Sequence, residues 1–266
     1  MPESSNPQPP TPNPPSNWRV VAASVRGTSH ERTGQECQDA HHWQAVGERL
    51  LVAAIADGAG SASLGGLGAA TAARAAIESL VACGGDAETG VQLWKVYLGA
   101  ALVAARDAVL EQAAVRGESP RELATTLILL VASPELAAAA QVGDGAALLK
   151  ADSGELIALT RPPSDEYINQ TTFLVSEDGV ETAQVGVWQG RVQAVAVLTD
   201  GLQRLALRMP EGTPHAPFFA PLFRFISETP DLPQAIEQLQ TFLQSPRITE
   251  RADDDLTLLL ATPDRG

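Results

Sequence analysis

The sequence predicts an α+β fold in which two antiparallel β-sheets are flanked by paired helices. Strand-like segments outnumber helical ones, and the helical segments come in adjacent pairs rather than alternating singly with strands, which argues against a βαβ arrangement. Aspartates also recur where apolar runs begin or end. They are Asp39 in CQDA, Asp57-Gly58 after LLVAAIA, Gly143-Asp144-Gly145 after AAAAQV, Asp200-Gly201 after VAVLT, and Asp253-Asp254-Asp255 before LTLLLA. A carboxylate at the end of a buried strand is fixed by the sheet yet still reaches solvent and a cation, and several such ends can meet at one point.

Residues 1–17, rich in Pro, Ser and Asn with almost nothing to bury, read as a disordered tail, and 18–264 as one domain. WRVVAASV reads as the first strand, followed by a polar loop that delivers Asp39. LLVAAIA is a second buried strand, stopped by Asp57. The glycine-rich turn GAGSASLGGLG then opens an alanine-rich helix over about 69–81, and apolar residues at helical spacing, Val91, Leu93, Trp94, Val96, Leu98, Leu102, Val103, Val109 and Leu110, predict a second helix over 89–115. Residues 124–132, 138–150 and 155–160 are expected to form a meander of short antiparallel strands. A polar loop over 161–178 leads to a strand at 172–175, and 191–199 forms a buried strand ending at Asp200. Helices follow at 216–228 and 232–244, and LTLLLA closes the chain as a strand.

The composition excludes several classes of function. With 32 acidic against 18 basic side chains and a net charge of −14, the chain is no candidate for binding nucleic acid or an anionic lipid surface. Cys37 and Cys83 are too few for a disulfide framework, which suits a reducing cytosol. Prolines stand where the apolar core of a signal peptide belongs, and LATTLILLVAS is too short to span a bilayer, so the expected location is cytoplasmic. Cys37 as a zinc ligand would need close Cys or His partners. Only His30, His41 and His42 are near, and packing is the better reading for Cys37, His41 and His42, the two histidines facing opposite sides of a strand.

A donor set of carboxylates alone selects hard cations such as Mg²⁺ or Mn²⁺. Two such ions about 3.5–4 Å apart can acidify a shared water and stabilise an in-line phosphoryl displacement. Each Asp-Gly taken alone is more often a turn than a ligand, and Asp144 in VGDGAALL would be read as a hairpin. Independent turns, however, have no reason to share a place at strand ends throughout a chain.

The ordered segments CQDA (37–40), ADGAGSASLGGLGA (56–69), ATTLILL (124–130), VGDGAALL (142–149), LTDGL (198–202) and DDDLTLLL (253–260) resemble the metal-dependent type 2C Ser/Thr protein phosphatases. The similarity is to a bacterial branch whose first motif runs G-x-S-H…G…C-Q-D-A, here Gly27, Ser29, His30, Gly34, Cys37, Gln38, Asp39 and Ala40. The resemblance implies a four-layer αββα sandwich with a cleft at one end of the sheets. It implies a binuclear Mn²⁺ or Mg²⁺ centre bridged by Asp57, with the Gly58 carbonyl on one ion, Asp39, Asp200 and Asp254 completing the shells, and Asp144 at a weaker third ion. A metal-bridging hydroxide would attack phosphoserine or phosphothreonine of a protein substrate in line, and a cognate Ser/Thr kinase is the implied partner. Thr125-Thr126 fits a structural position, Asp255 stands where many relatives have asparagine, and Asp253 is a neighbour.

Two departures accompany the match. The arginine that clamps substrate phosphate in many relatives is absent at Gly34, leaving His30 and Arg32 as candidate phosphate-binding residues. Ala59 occupies the place of a histidine that animal relatives offer as a general acid. These losses keep open an alternative, a catalytically weak phosphatase-like module that binds phosphoproteins or senses metal; retention of the aspartates opposes it. Tyr167, Asn169 and Thr171 lie in a loop expected near the cleft, either contacting substrate or structuring the loop.

Overall fold

The computed structural model describes residues 17–163 and 171–264. The expected tail through residue 16, Tyr167 and Asn169 lie outside the described residues. Two five-stranded antiparallel sheets stack face to face. The first is ordered β1 (Trp18–Val25), β12 (Leu256–Pro263), β9 (Val192–Leu198), β6 (Ala146–Ala151) and β7 (Leu156–Thr160). The second is ordered β2 (Asp39–Val46), β3 (Leu50–Asp57), β4 (Leu127–Ser133), β5 (Leu136–Val142) and β8 (Gln184–Gln189). Helices α2 (Gly65–Ala82) and α3 (Val91–Arg116) cover the second sheet, and α5 (Ala216–Glu228) and α6 (Leu232–Leu243) cover the first. The expected four-layer αββα sandwich is therefore observed.

The central strands are continuously apolar because both of their faces are covered. In β3, Leu51, Ala53 and Ile55 point between the sheets, while Val52, Ala54 and Ala56 point to the helices. Small alanines along α2 (Ala69, Ala72, Ala73, Ala76) let that helix lie close to the sheet. In α3 the buried stripe is Trp94, Leu98, Ala101, Leu102, Ala105, Val109 and Ala113, with helical spacing. Leu93, Val96 and Val103, which the apolar spacing included, are exposed.

Several local expectations are corrected. The polar loop before Asp39 contains a six-residue helix, α1 (Thr28–Thr33), closed by Gly34 in the left-handed region at φ 73°. No strand forms at 172–175; the segment is turn-rich and anchored by Leu174 N–H on the Thr125 carbonyl, 2.8 Å. The edge strand β8 occurs instead, unannounced because QVGVWQ is half-exposed and interrupted by Gly186. Two-residue strands β10 (Leu207–Arg208) and β11 (Thr213–Pro214), and short helices α4 (Gln203–Ala206) and α7 (Pro246–Thr249), were not anticipated either.

The predicted meander is also divided. β4 and β5 pair in one sheet, whereas β6 and β7 pair in the other, so Gly143-Asp144-Gly145 is a crossing between sheets rather than a hairpin. Glycine is required on both sides of the crossing. Gly143 has φ 105°, and a Cβ on Gly145 would stand 2.4 Å from the Leu198 carbonyl oxygen.

Candidate metal centre

The strand register brings the aspartates to one end of the sandwich. Asp39 opens β2 and Asp57 ends β3, and the two are direct cross-strand partners. In the other sheet Ala146 and Leu258 both pair with Leu198, which places Asp144, Asp200 and Asp254 at neighbouring strand ends. A hydrogen bond joins the two sheets here: the Thr199 hydroxyl donates to Asp39 Oδ2 at 2.8 Å.

Asp57 is held through its main chain. Its N–H donates to Thr126 Oγ1 (3.1 Å), and its carbonyl accepts from the Thr125 hydroxyl and the Thr126 N–H (2.8 Å each). Thr125 and Thr126 are buried and precede β4, matching the structural role expected of them. Next to Asp57, Gly58 meets the first turn of α2 backbone to backbone; a Cβ there would lie 2.3 Å from the Gly65 carbonyl carbon. The glycine-rich turn thus exists to bring α2 against the end of β3.

Charge pressure in the cleft is large. Burial pushes the Asp57 carboxyl up to about 11, and repulsion from Asp39, Asp200, Asp254 and Asp144 adds to it. Asp39 is pushed up to about 7 by burial, against the nearby Thr257 hydroxyl and the hydrogen bond from Thr199. Asp200 rises to about 6 through burial and then the charges of Asp144 and Asp254. Asp144 is raised by burial, opposed by the Thr171 hydroxyl that donates to its Oδ2 at 2.9 Å. The Gln203 amide also donates to the Asp144 carbonyl.

Among the described residues no three His, Cys, Asp or Glu side chains stand together as a closed ligand set. The donors nevertheless suit a hard divalent cation: they are all oxygens, and Asp39 Oδ1 is buried without a hydrogen-bond partner among the described residues. A cation is the partner that satisfies such an atom and relieves the mutual repulsion.

Asp255, which the sequence pattern ranks as a supporting neighbour, organises the whole first-motif loop. Only 2% exposed, it accepts the Gly27 N–H (2.7 Å) and the Gln38 N–H (2.6 Å), and its Oδ2 lies 2.9 Å from His30 Nδ1. The His30 nitrogen is at ion-pair distance but off the line of a hydrogen bond. His30 is buried in this arrangement, whereas the Arg32 side chain is 70% exposed and 3.8 Å from Asp253. Asp254 is exposed at the rim, its Oδ1 accepting the Asp255 N–H at 2.8 Å.

Cys37 and Cys83 are both free, and burial, followed by Asp39 and Asp255, pushes the Cys37 thiol up, so it carries no thiolate at neutral pH. His41 points between the sheets, where its Nδ1 meets the Ser24 hydroxyl at 2.9 Å and burial lowers it to about 4. His42 is exposed, so the two histidines do face opposite sides of β2. The parts of the site that sequence reasoning missed are Thr199 and the weight carried by Asp255. The only linear signal for Thr199 was its place directly before Asp200.

Comparison with known proteins finds relatives over most of the chain. The family model described as "Protein phosphatase 2C" matches residues 26–244. Serine/threonine-protein phosphatase 3 of Escherichia coli (strain K12) is 37% identical over 251 residues, spanning 92% of this chain and 98% of that protein. Among solved structures, the S. agalactiae serine/threonine phosphatase superposes with TM-score 0.61 at 15% identity, covering 92% of this chain and 99% of the other. The Mycobacterium tuberculosis serine/threonine phosphatase gives 0.59 at 18%, covering 93% and 99%. The catalytic domain of the phosphatase PstP, solved with 2 manganese ions, gives 0.55 at 18%, covering 92% and 97%. At these identities the structural likenesses speak for the fold alone.

Proposed function

The chain belongs to the protein phosphatase 2C family, and from that premise we propose that the aspartate cleft is its phosphate-ester-hydrolysing centre. The protein is a metal-dependent serine/threonine phosphatase. The observation that carries the assignment to this cleft is Asp57, buried, rigidly held by Thr125 and Thr126, and pressed by four other carboxylates.

In this reading Asp57, Asp39, Asp200 and Asp254 with the Gly58 carbonyl would hold Mn²⁺ or Mg²⁺, and Asp144 would serve a further, weaker ion. When bound, such ions supply acidified water and neutralise phosphoryl charge. The chain's own contribution is positioning. Thr199 fixes the Asp39 carboxylate, the Thr125-Thr126 pair fixes Asp57, and Asp255 fixes the loop that brings Asp39 into register. Water would attack phosphorus in line as the bond to the serine or threonine oxygen breaks, the departing oxygen taking up the proton that the water gives up, without a covalent phosphoenzyme. Arg32 is an exposed cation of the first-motif loop available to substrate phosphate, while His30 positions that loop through Asp255.

Residues 18–264 form the catalytic domain in this proposal, acting in the cytoplasm on phosphorylated Ser/Thr proteins made by a cognate kinase. Among the described residues no helix is long and apolar enough to cross a membrane. Hydrolysis of p-nitrophenyl phosphate and a phosphothreonine peptide, followed against Mn²⁺ concentration, tests the assignment. Wild type should turn over both substrates and Asp57→Asn neither. Equal inactivity of the two despite measurable Mn²⁺ binding would defeat the enzyme reading and favour the phosphoprotein-binding or metal-sensing module.

A further inference from the structure

At the opposite end of the first sheet from the aspartates lies a cavity of about 630 Å³ under α5. Its floor interrupts the apolar pattern of the sheet's helix-covered face. On that face Val21, Leu260, Ala196 and Leu148 belong to the core. Two residues further along each strand the same face presents Arg19 on β1, Thr262 on β12, Ala194 on β9 and Lys150 on β6, all lining the cavity. Register confirms that they form a row, since Arg19 is paired with Thr262 and Ala194 with Lys150. Small Ala194 leaves the middle of the row open.

The row contains unused binding capacity. Thr262 is 5% exposed, yet its Oγ1 has no hydrogen-bond partner among the described residues. Among those residues the Lys150 ammonium has no ion-pair or hydrogen-bond partner either. Arg19 donates Nε and Nη2 to the carbonyls of Ile226 and Thr229 at the end of α5, which locks its guanidinium in place and leaves further N–H donors. Arg224 adds a cation at the rim, tied to Glu228 at 2.9 Å, and Asp264 is the one carboxylate in the lining. In a chain of net charge −14, a cavity lined by three cations is a local reversal of sign. Capping of α5 accounts for Arg19 but not for Lys150 or the orphaned hydroxyl.

We propose that this cavity binds a small dianion bearing phosphate or carboxylate groups, held by Lys150 Nζ and Thr262 Oγ1 against the fixed Arg19 guanidinium. Its volume falls in the range of small-molecule sites, roughly 300–1,000 Å³. Charge-assisted bonds to Lys and Arg would supply the attraction, and the hydroxyl would set orientation. The proposal is independent of the phosphatase assignment.

The test is isothermal titration of the metal-free full chain, prepared by passage over chelating resin, with inorganic phosphate in one arm and succinate in the other. Without metal the aspartate cleft repels anions, so heat of binding reports on the cavity. One site is expected, and the tighter arm identifies phosphate or carboxylate as the favoured group. Lys150→Gln should weaken binding about tenfold while leaving p-nitrophenyl phosphate hydrolysis at the wild-type rate. Thr262→Val, which keeps the side-chain shape, should weaken binding several-fold. Absence of binding in both arms, or wild-type affinity in both variants, overturns the proposal.

Discussion

Asp255 accepts two backbone N–H groups and approaches an imidazole, so it joins β12 to the Gly27 and Gln38 ends of the first-motif loop. Asp255→Ala would leave both N–H donors buried without an acceptor, at a cost of about 2–4 kcal/mol. Urea unfolding should show that loss, with a smaller one for Asp255→Asn, which retains a carbonyl oxygen. Thr199 acts more locally. Thr199→Val frees Asp39 Oδ2, and the Mn²⁺ concentration for half-maximal activity should rise about tenfold with little change in the saturated rate. Both residues show why sites are only partly legible in a chain. Asp57-Gly58 announces itself by stopping an apolar run, whereas the Thr199 to Asp39 bond spans 160 residues and has no local signature.

At the scale of elements, the close fit of α2 depends on glycines. A Cβ at Gly68 would stand 2.1 Å from the Leu123 carbonyl oxygen, in the 3-10 turn Pro120–Leu123 that leads to Thr125. Gly68→Ala should therefore destabilise by about 1–3 kcal/mol and lower activity, because displacement of that turn moves the support of Asp57. Gly99 in α3 has nothing within 4 Å of a Cβ. Gly99→Ala should stabilise by about 0.5–1 kcal/mol, from helix propensity. Thermal melts of the two variants should move in opposite directions. Long elements with a clear period, such as β3 and α3, were legible. Short ones were not: α1 has fewer than two turns and depends on the Gly34 cap, and β8 is recruited by pairing with β5 rather than by its own pattern.

Across the whole molecule, the cleft stores like-charge repulsion that the fold sustains. Asp57, Asp39 and Asp200 have folded values raised to about 11, 7 and 6, above the ordinary 3.8. Each folded carboxyl thus holds its proton longer than the unfolded one. The stability these groups contribute is present below about pH 4 and is lost as pH rises through the folded values. Urea midpoints of the metal-free protein should accordingly fall between about pH 5 and 8, with a shallower fall in Asp57→Asn. Saturating Mn²⁺ should flatten or reverse the trend, because a cation that binds the folded state replaces the protons and stabilises by mass action. A midpoint that rises with pH in the metal-free protein would contradict this charge arrangement.

Periodicity and punctuation were local properties, and they were enough to predict two antiparallel sheets between helical pairs with aspartates at strand ends. That follows because a strand covered on both faces must be apolar throughout, and a carboxylate cannot continue it. Partnership between distant strands lay beyond that reading. The crossing at Gly143-Asp144-Gly145, the clasp of Asp255 on Gly27 and Gln38, and the row of Arg19, Thr262 and Lys150 arise only once β1, β12, β9 and β6 are side by side. Hydrogen bonds and charges act through space over a few ångströms, and it is the packed sheets that bring residues far apart in the chain within that reach.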